Sequence, residues 1–173
     1  MIRAATEADL PKVAQIYEEI LDLEEQTGVT TTNWQRGKYP TQDSAREAFA
    51  AGTLYVMEEE GDLFGCVNLN GVQLPEYDAI PWSFAADRDQ VMVIHTLCIS
   101  PRWAGRGKAR EFVDFCEAEA RRQGKHVMRL DTWIKNTPAN HLYPKLGYRL
   151  AGKTMFHFMG FVWEELNCYE RVL

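Results

Sequence analysis

Residues 91–109 read Val-Met-Val-Ile-His-Thr-Leu-Cys-Ile-Ser-Pro-Arg-Trp-Ala-Gly-Arg-Gly-Lys-Ala, and this stretch decides the fold. Its first nine residues are apolar except for His95 and Thr96, the pattern of a strand buried on both faces. Pro101, Gly105 and Gly107 end that pattern. From about Gly107 the apolar residues Phe112, Val113, Cys116 and Ala120 recur at helical spacing, and Gly124 closes the helix after Gln123. A buried strand that turns through glycines into a helix aims several backbone amides one way, at the positive end of the helix dipole, which suits an anion. Arg102, Arg106, Lys108 and Arg110 add positive charge with no acid among them. On spacing alone, an ordinary strand-to-helix turn with a solvated basic surface fits equally well. The dinucleotide fingerprint Gly-x-Gly-x-x-Gly fails, because Arg110 stands at its last position, so a nicotinamide-binding fold is a poor fit.

Upstream, residues 2–5 predict a first strand. Thr6 with Asp9 forms a capping pattern, and Leu10, Val13, Ile16, Tyr17 and Ile20 mark one face of a helix that runs to about Gly28. Residues 29–41 have no period and contain Trp34 and Tyr39. A short helix over 42–51 ends at Gly52, and residues 54–58 and 63–69 read as a hairpin around Glu60, Gly61 and Asp62. Residues 70–89, with Tyr77, Trp82 and Phe84, form an irregular segment long enough to be functional. Downstream, residues 127–131 read as a buried strand, 136–146 as a helix stopped by Gly147, and 148–158 with 166–172 as closing strands. The order predicts one mixed α/β domain over residues 1–173, without repeat or linker.

The chain has 173 residues, of which 46% are hydrophobic and 12% aromatic, enough for a core, and its net charge is -6. That charge argues against an extended nucleic-acid surface. Cys66, Cys98, Cys116 and Cys168 are widely spaced, which suggests neither a metal site nor a redox pair, and they read as reduced core residues. The first nine residues lack an apolar signal core and no run of eighteen apolar residues occurs, so no membrane association and a cytoplasmic location are expected.

Ile94-His95-Thr96-Leu97-Cys98-Ile99-Ser100-Pro101 followed by Ala104-Gly105-Arg106-Gly107-Lys108-Ala109 resembles the acyl-CoA signature of the GNAT N-acetyltransferase superfamily. Asn136-Thr137-Pro138-Ala139, Leu142-Tyr143 and Lys145-Leu146-Gly147-Tyr148 resemble that family's second hallmark. Two motifs in the right order are more specific than either alone. The resemblance implies an α/β fold with a mixed, mostly antiparallel central sheet, splayed at the acyl-CoA site and flanked by helices. It implies acetyl-CoA as cofactor, with its pyrophosphate on the amides of Ala104, Gly105, Arg106, Gly107, Lys108 and Ala109 and its pantetheine arm beside the backbone of Leu97, Cys98 and Ile99. Ala104 departs from the pattern, since the family usually has Gln or Arg there, so one polar side-chain contact is either lost or replaced by Arg102 or Arg106.

The implied reaction transfers an acetyl group to an amine of a small molecule or peptide. An alkylamine with a pKa near 10 is only roughly 0.1% neutral at pH 7, so a base or a water relay is needed. His95, with an ordinary pKa of about 6.5, suits that role; a satisfied polar residue lining the core or pocket is the equal alternative. His126, His141 and His157 are expected at the surface. Tyr143 resembles the family's hydroxyl donor to the CoA sulfur, although Pro144 beside it removes a helix amide. Asn136 opens this helix and either caps it or reaches the pantetheine arm. Trp34, Tyr39 and Trp82 are the expected acceptor-pocket residues, and each reads equally as a loop anchor. Asp131 reads as a substrate carboxylate or as a strand-end hydrogen-bonding group, with the second reading favoured. No metal is expected, a homodimer is open, and the rival reading is a CoA-binding or interaction domain without catalysis.

Overall fold

A computed structural model describes residues 1–158, 160 and 162–173. In chain order it contains β1 (Ile2–Ala4), α1 (Leu10–Thr27), α2 (Gln42–Ala50), β2 (Leu54–Glu59), β3 (Asp62–Asn70) and β4 (Val91–Ile99). These are followed by α3 (Lys108–Arg122), β5 (Val127–Trp133), α4 (Thr137–Lys145), β6 (Arg149–Phe158) and β7 (Val162–Val172). The seven strands form one sheet in the order β1-β2-β3-β4-β5-β7-β6. The pairs β1/β2, β2/β3, β5/β7 and β6/β7 are antiparallel and β4/β5 is parallel, which gives the mixed, mostly antiparallel α/β sheet expected. The β4/β5 register runs from Val91↔Val127 to Ile94↔Leu130, while β4 itself continues to Ile99 and β5 to Trp133. Among the described residues, no helix is long and apolar enough to cross a membrane.

The chain divides into two compact units. The first comprises residues 1–29, 34–69 and 95–115. Its core joins Leu10, Val13, Ile16 and Tyr17 of α1 to Ala45 and Ala48 of α2 and to Leu54, Val56, Leu63 and Cys66 of the hairpin. Each large side chain so buried stabilises the fold by about 1.5–3 kcal/mol. α1 follows the Thr6/Asp9 capping box, carries Pro11 in its first turn, and stops at Gly28, whose φ of 69° admits the amide bond back to Glu24.

The second unit comprises residues 30–33, 70–94 and 116–173. Tyr77, Ile80, Val91, Val93, Val127, Phe156, Leu166 and Cys168 form its core. Residues 70–89 are less irregular than their sequence suggests, since Pro75–Ala79 is a short 3-10 turn. β7 begins four residues earlier than periodicity indicates, because its outer end pairs along the length of β6 through Phe158↔Val162 and His157↔Trp163.

Candidate functional site

β4 is buried as far as Ile94 and opens, at the start of its portion in the first unit, at His95, Thr96 and Leu97, which are half-buried. Thr96 has φ 50°, a left-handed conformation uncommon for a β-branched residue, and its hydroxyl shares a hydrogen bond with the Tyr39 hydroxyl. Trp34 packs edge-on to Tyr17, with ring centroids 5.8 Å apart, against the α1/α2 core. Cys98 is buried and Ile99 half-buried, and Ser100 caps the short turn Pro101–Trp103.

Gly105 and Gly107 both have φ 74° and open space where a Cβ would project, so the backbone of residues 104–107 is approachable from outside. The first α3 bond to this turn runs from the Glu111 amide to the Gly107 carbonyl at 3.1 Å, and the amides of Lys108, Ala109 and Arg110 precede it without intrahelical acceptors. These residues fit an anionic diphosphate.

The positive charge is arranged differently from the sequence expectation. Acids from elsewhere in this unit neutralise most of it: Arg102 pairs with Asp62 at 2.9 Å and Glu19 at 3.4 Å, and Lys108 with Glu59 at 2.7 Å and Glu111 at 3.1 Å. Arg102 is therefore committed. Arg106 lies 4.7 Å over the Trp103 ring and has no ion pair within 4.0 Å among the described residues.

In the second unit, Asn136 caps α4 by accepting from the Ala139 amide at 3.1 Å. Asn140, which nothing in the local sequence singled out, organises the surroundings. Its amide donates to the Trp133 and Asn136 carbonyls at 2.9 and 2.8 Å, and its oxygen accepts from Asn167 and the Tyr169 hydroxyl at 2.8 and 2.9 Å. Tyr143 is 6% exposed, between the rings of Tyr148 and Tyr169 at 5.5 and 5.9 Å. Burial, with the negative potential of Cys116 and Asp131, pushes its hydroxyl pKa up, so Tyr143 remains a donor through the neutral range. Pro144 lies in the last turn of α4, where the Leu146 amide still reaches the Leu142 carbonyl at 3.1 Å.

The segment over residues 73–90, with Arg129, lines an open cavity of about 620 Å³. Trp82 lines it, donates its indole N–H to the Tyr77 carbonyl at 2.9 Å and stacks on the Arg129 guanidinium at 4.2 Å. Tyr77 is core, and its hydroxyl donates to Asp131 at 2.7 Å, the hydrogen-bonding role expected of that aspartate. His126, His141 and His157 are exposed. All four cysteines are free and buried; burial pushes Cys168 up to about 12 and Cys98 well above its ordinary value. Cys66 and Cys98, 32 residues apart in sequence, bring their sulfurs within 3.1 Å across β3 and β4, a proximity that spacing does not reveal.

The model of the acetyltransferase (GNAT) family matches residues 14–148. Streptothricin acetyltransferase of Escherichia coli is 27% identical over 123 residues, covering 71% of this chain; the chain spans 60% of that protein's length. A GNAT-family acetyltransferase from Streptococcus agalactiae superposes with a TM-score of 0.82 at 24% identity, covering 100% of this chain and 95% of the other. The Salmonella typhimurium protein yncA, solved with its cofactor acetyl-CoA, superposes with a TM-score of 0.71 at 21% identity, covering 100% and 93%. At these identities the structural likeness is one of fold.

Proposed function

Since the chain belongs to the acetyltransferase (GNAT) family, we propose that it is an acetyl-CoA-dependent N-acetyltransferase acting on an amine of a small molecule or peptide. The observation that carries this is the turn at residues 104–109, with two open glycines at φ 74° and the first amides of α3, which have no intrahelical acceptors. Acetyl-CoA supplies the activated acetyl thioester. The amides of Gly105, Arg106, Gly107, Lys108 and Ala109 hold the pyrophosphate, with the Arg106 guanidinium beside it. Leu97, Cys98 and Ile99 offer main-chain groups to the pantetheine arm. His95, where β4 opens, takes the proton from the amine directly or through water. Tyr143, kept protonated by burial, donates a hydrogen bond to the sulfur. Asn136 reaches the cofactor with its amide group while its oxygen caps α4. Trp34, Tyr39 and Trp82 are the aromatic residues this reading assigns to the acceptor. This reading takes residues 1–173 as one acetyltransferase domain in the cytoplasm, alone or as a homodimer.

The test is thiol release from acetyl-CoA across a panel of primary amines and amine-bearing peptides. Release that depends on at least one amine, with the acetylated product found by mass spectrometry, supports the reading. Tight CoA binding without release for any amine overturns it and leaves a CoA-binding domain without catalysis.

A further inference from the structure

Arg129 is 6% exposed, yet among the described residues no carboxylate lies within 4.0 Å of it. One terminal nitrogen donates to the Gln73 side-chain carbonyl at 2.5 Å, the other to the Phe84 carbonyl at 3.2 Å, and Nε is buried without a partner. A buried guanidinium held by neutral acceptors alone is a costly feature, and a core built only for stability would pair it or replace it. Glu170, the acid whose charge acts on Arg129, is fully buried and committed elsewhere. It accepts from the amides of Ser83 at 2.8 Å and Phe84 at 3.3 Å and from Arg149 at 2.6 Å.

Those same bonds hold the cavity open. Glu170 pins the backbone at Ser83 and Phe84, Asp131 pins Tyr77, and the Trp82 indole is tied to the Tyr77 carbonyl. Gly152 allows Pro81 a close approach; a Cβ there would meet the proline ring at 3.1 Å. The wall is therefore preformed, and about 620 Å³ is the size of a small-molecule site. Ile80, Trp82 and Phe84 make it apolar on one side, while Arg129 is the single charged group contributed by the sheet.

We propose that this cavity binds a small molecule carrying one carboxylate on an apolar body, with Arg129 as its counter-charge. The carboxylate takes the place now filled by the Gln73 side chain and completes the guanidinium's bonding through a charge-assisted pair. Asp78, Asp87 and Arg88 also line the cavity, and Arg88 is paired with Asp78 at 3.2 Å, so Arg129 faces Asp87 as the remaining acid of the lining, which favours a monoanion over a dianion such as a phosphate monoester. The carboxylate belongs either to the acetyl acceptor itself or to a separate effector.

Benzoate and its neutral isostere benzamide are the probes, titrated into the full chain without acetyl-CoA by calorimetry and by observing the Trp82 indole N–H in nuclear magnetic resonance. The proposal expects benzoate to bind at least tenfold more tightly than benzamide and to shift the Trp82 resonance. In Arg129→Met that preference is expected to vanish while the melting temperature stays level or rises, because an unpaired buried charge has been removed. Equal binding of the two probes, no shift at Trp82, or a preference for benzoate that survives Arg129→Met would overturn it. If Arg129→Met fails to fold, the wild-type comparison and the Trp82 resonance still decide. Competition of benzoate with an accepted amine assigns the carboxylate to the acceptor, and inhibition that persists at saturating amine assigns it to an effector. Since the binding arm needs neither cofactor nor turnover, failure of the acetyl-transfer reading would leave it standing.

Discussion

The hydroxyl of Tyr39, from the connection between α1 and α2, is hydrogen-bonded to the hydroxyl of Thr96, the left-handed residue next to His95 on β4. A β-branched residue in that conformation costs roughly 1–3 kcal/mol, so its surroundings must hold it there. Tyr39→Phe removes one partner and is expected to lower the unfolding free energy by about 1 kcal/mol. In a double-mutant cycle with Thr96→Val the coupling is expected to be about 1 kcal/mol, measured by urea denaturation. Strict additivity would show that the two hydroxyls act separately.

A pH-dependent contribution arises at the start of the chain. Arg3 donates to both oxygens of Asp9 at 2.7 and 3.1 Å, and the Thr6 amide and hydroxyl donate to the same carboxylate. The hydrogen bond from Arg3 is the main cause holding Asp9 at about 2. A depressed carboxylate stabilises the fold fully above its unfolded value of about 4, and the contribution is lost as pH falls through about 2. After allowance for the half-exposed Arg3, Asp9→Asn is expected to cost about 1–2 kcal/mol at pH 7 and almost nothing near pH 2. Denaturation curves of both proteins at those pH values check this.

The regular elements were legible because their signals are local. The α1 stripe, the β2/β3 hairpin, the glycine turn before α3 and the Asn136 cap each follow from residues a few positions apart. The basic turn was only partly legible. Arg102 and Lys108 read as available cations until the fold brings Asp62, Glu19 and Glu59 to them. Arg129, a single charge in a short strand, likewise gave no sign that it floors a cavity built by residues 40 to 60 positions earlier. Asn140 becomes a junction only once β7 lies beside it.

For His95, the outcome to measure is the pH profile. His95→Gln is expected to lower turnover and to remove an ionisation from the acidic limb of kcat/KM, because the neutral imidazole is the form that accepts the proton. An unchanged limb would make it a pocket-lining residue.

For Tyr143, removing the hydroxyl alone separates donor from packing. Tyr143→Phe keeps the ring contacts with Tyr148 and Tyr169. Turnover is expected to fall about a hundredfold, roughly 2.7 kcal/mol, with acetyl-CoA affinity little changed. A loss mainly in affinity would make Tyr143 a binding residue instead.

Calorimetric titration of acetyl-CoA into the wild type and into Gly107→Glu tests the central claim most directly. Gly107 is exposed with φ 74°, so a glutamate there strains the backbone although its Cβ meets no protein atom, and it places bulk and negative charge against a bound diphosphate; thermal melting first establishes that the variant is folded. Wild-type binding with at least a tenfold loss in the folded variant is the predicted result; equal affinity in the two proteins would contradict the account.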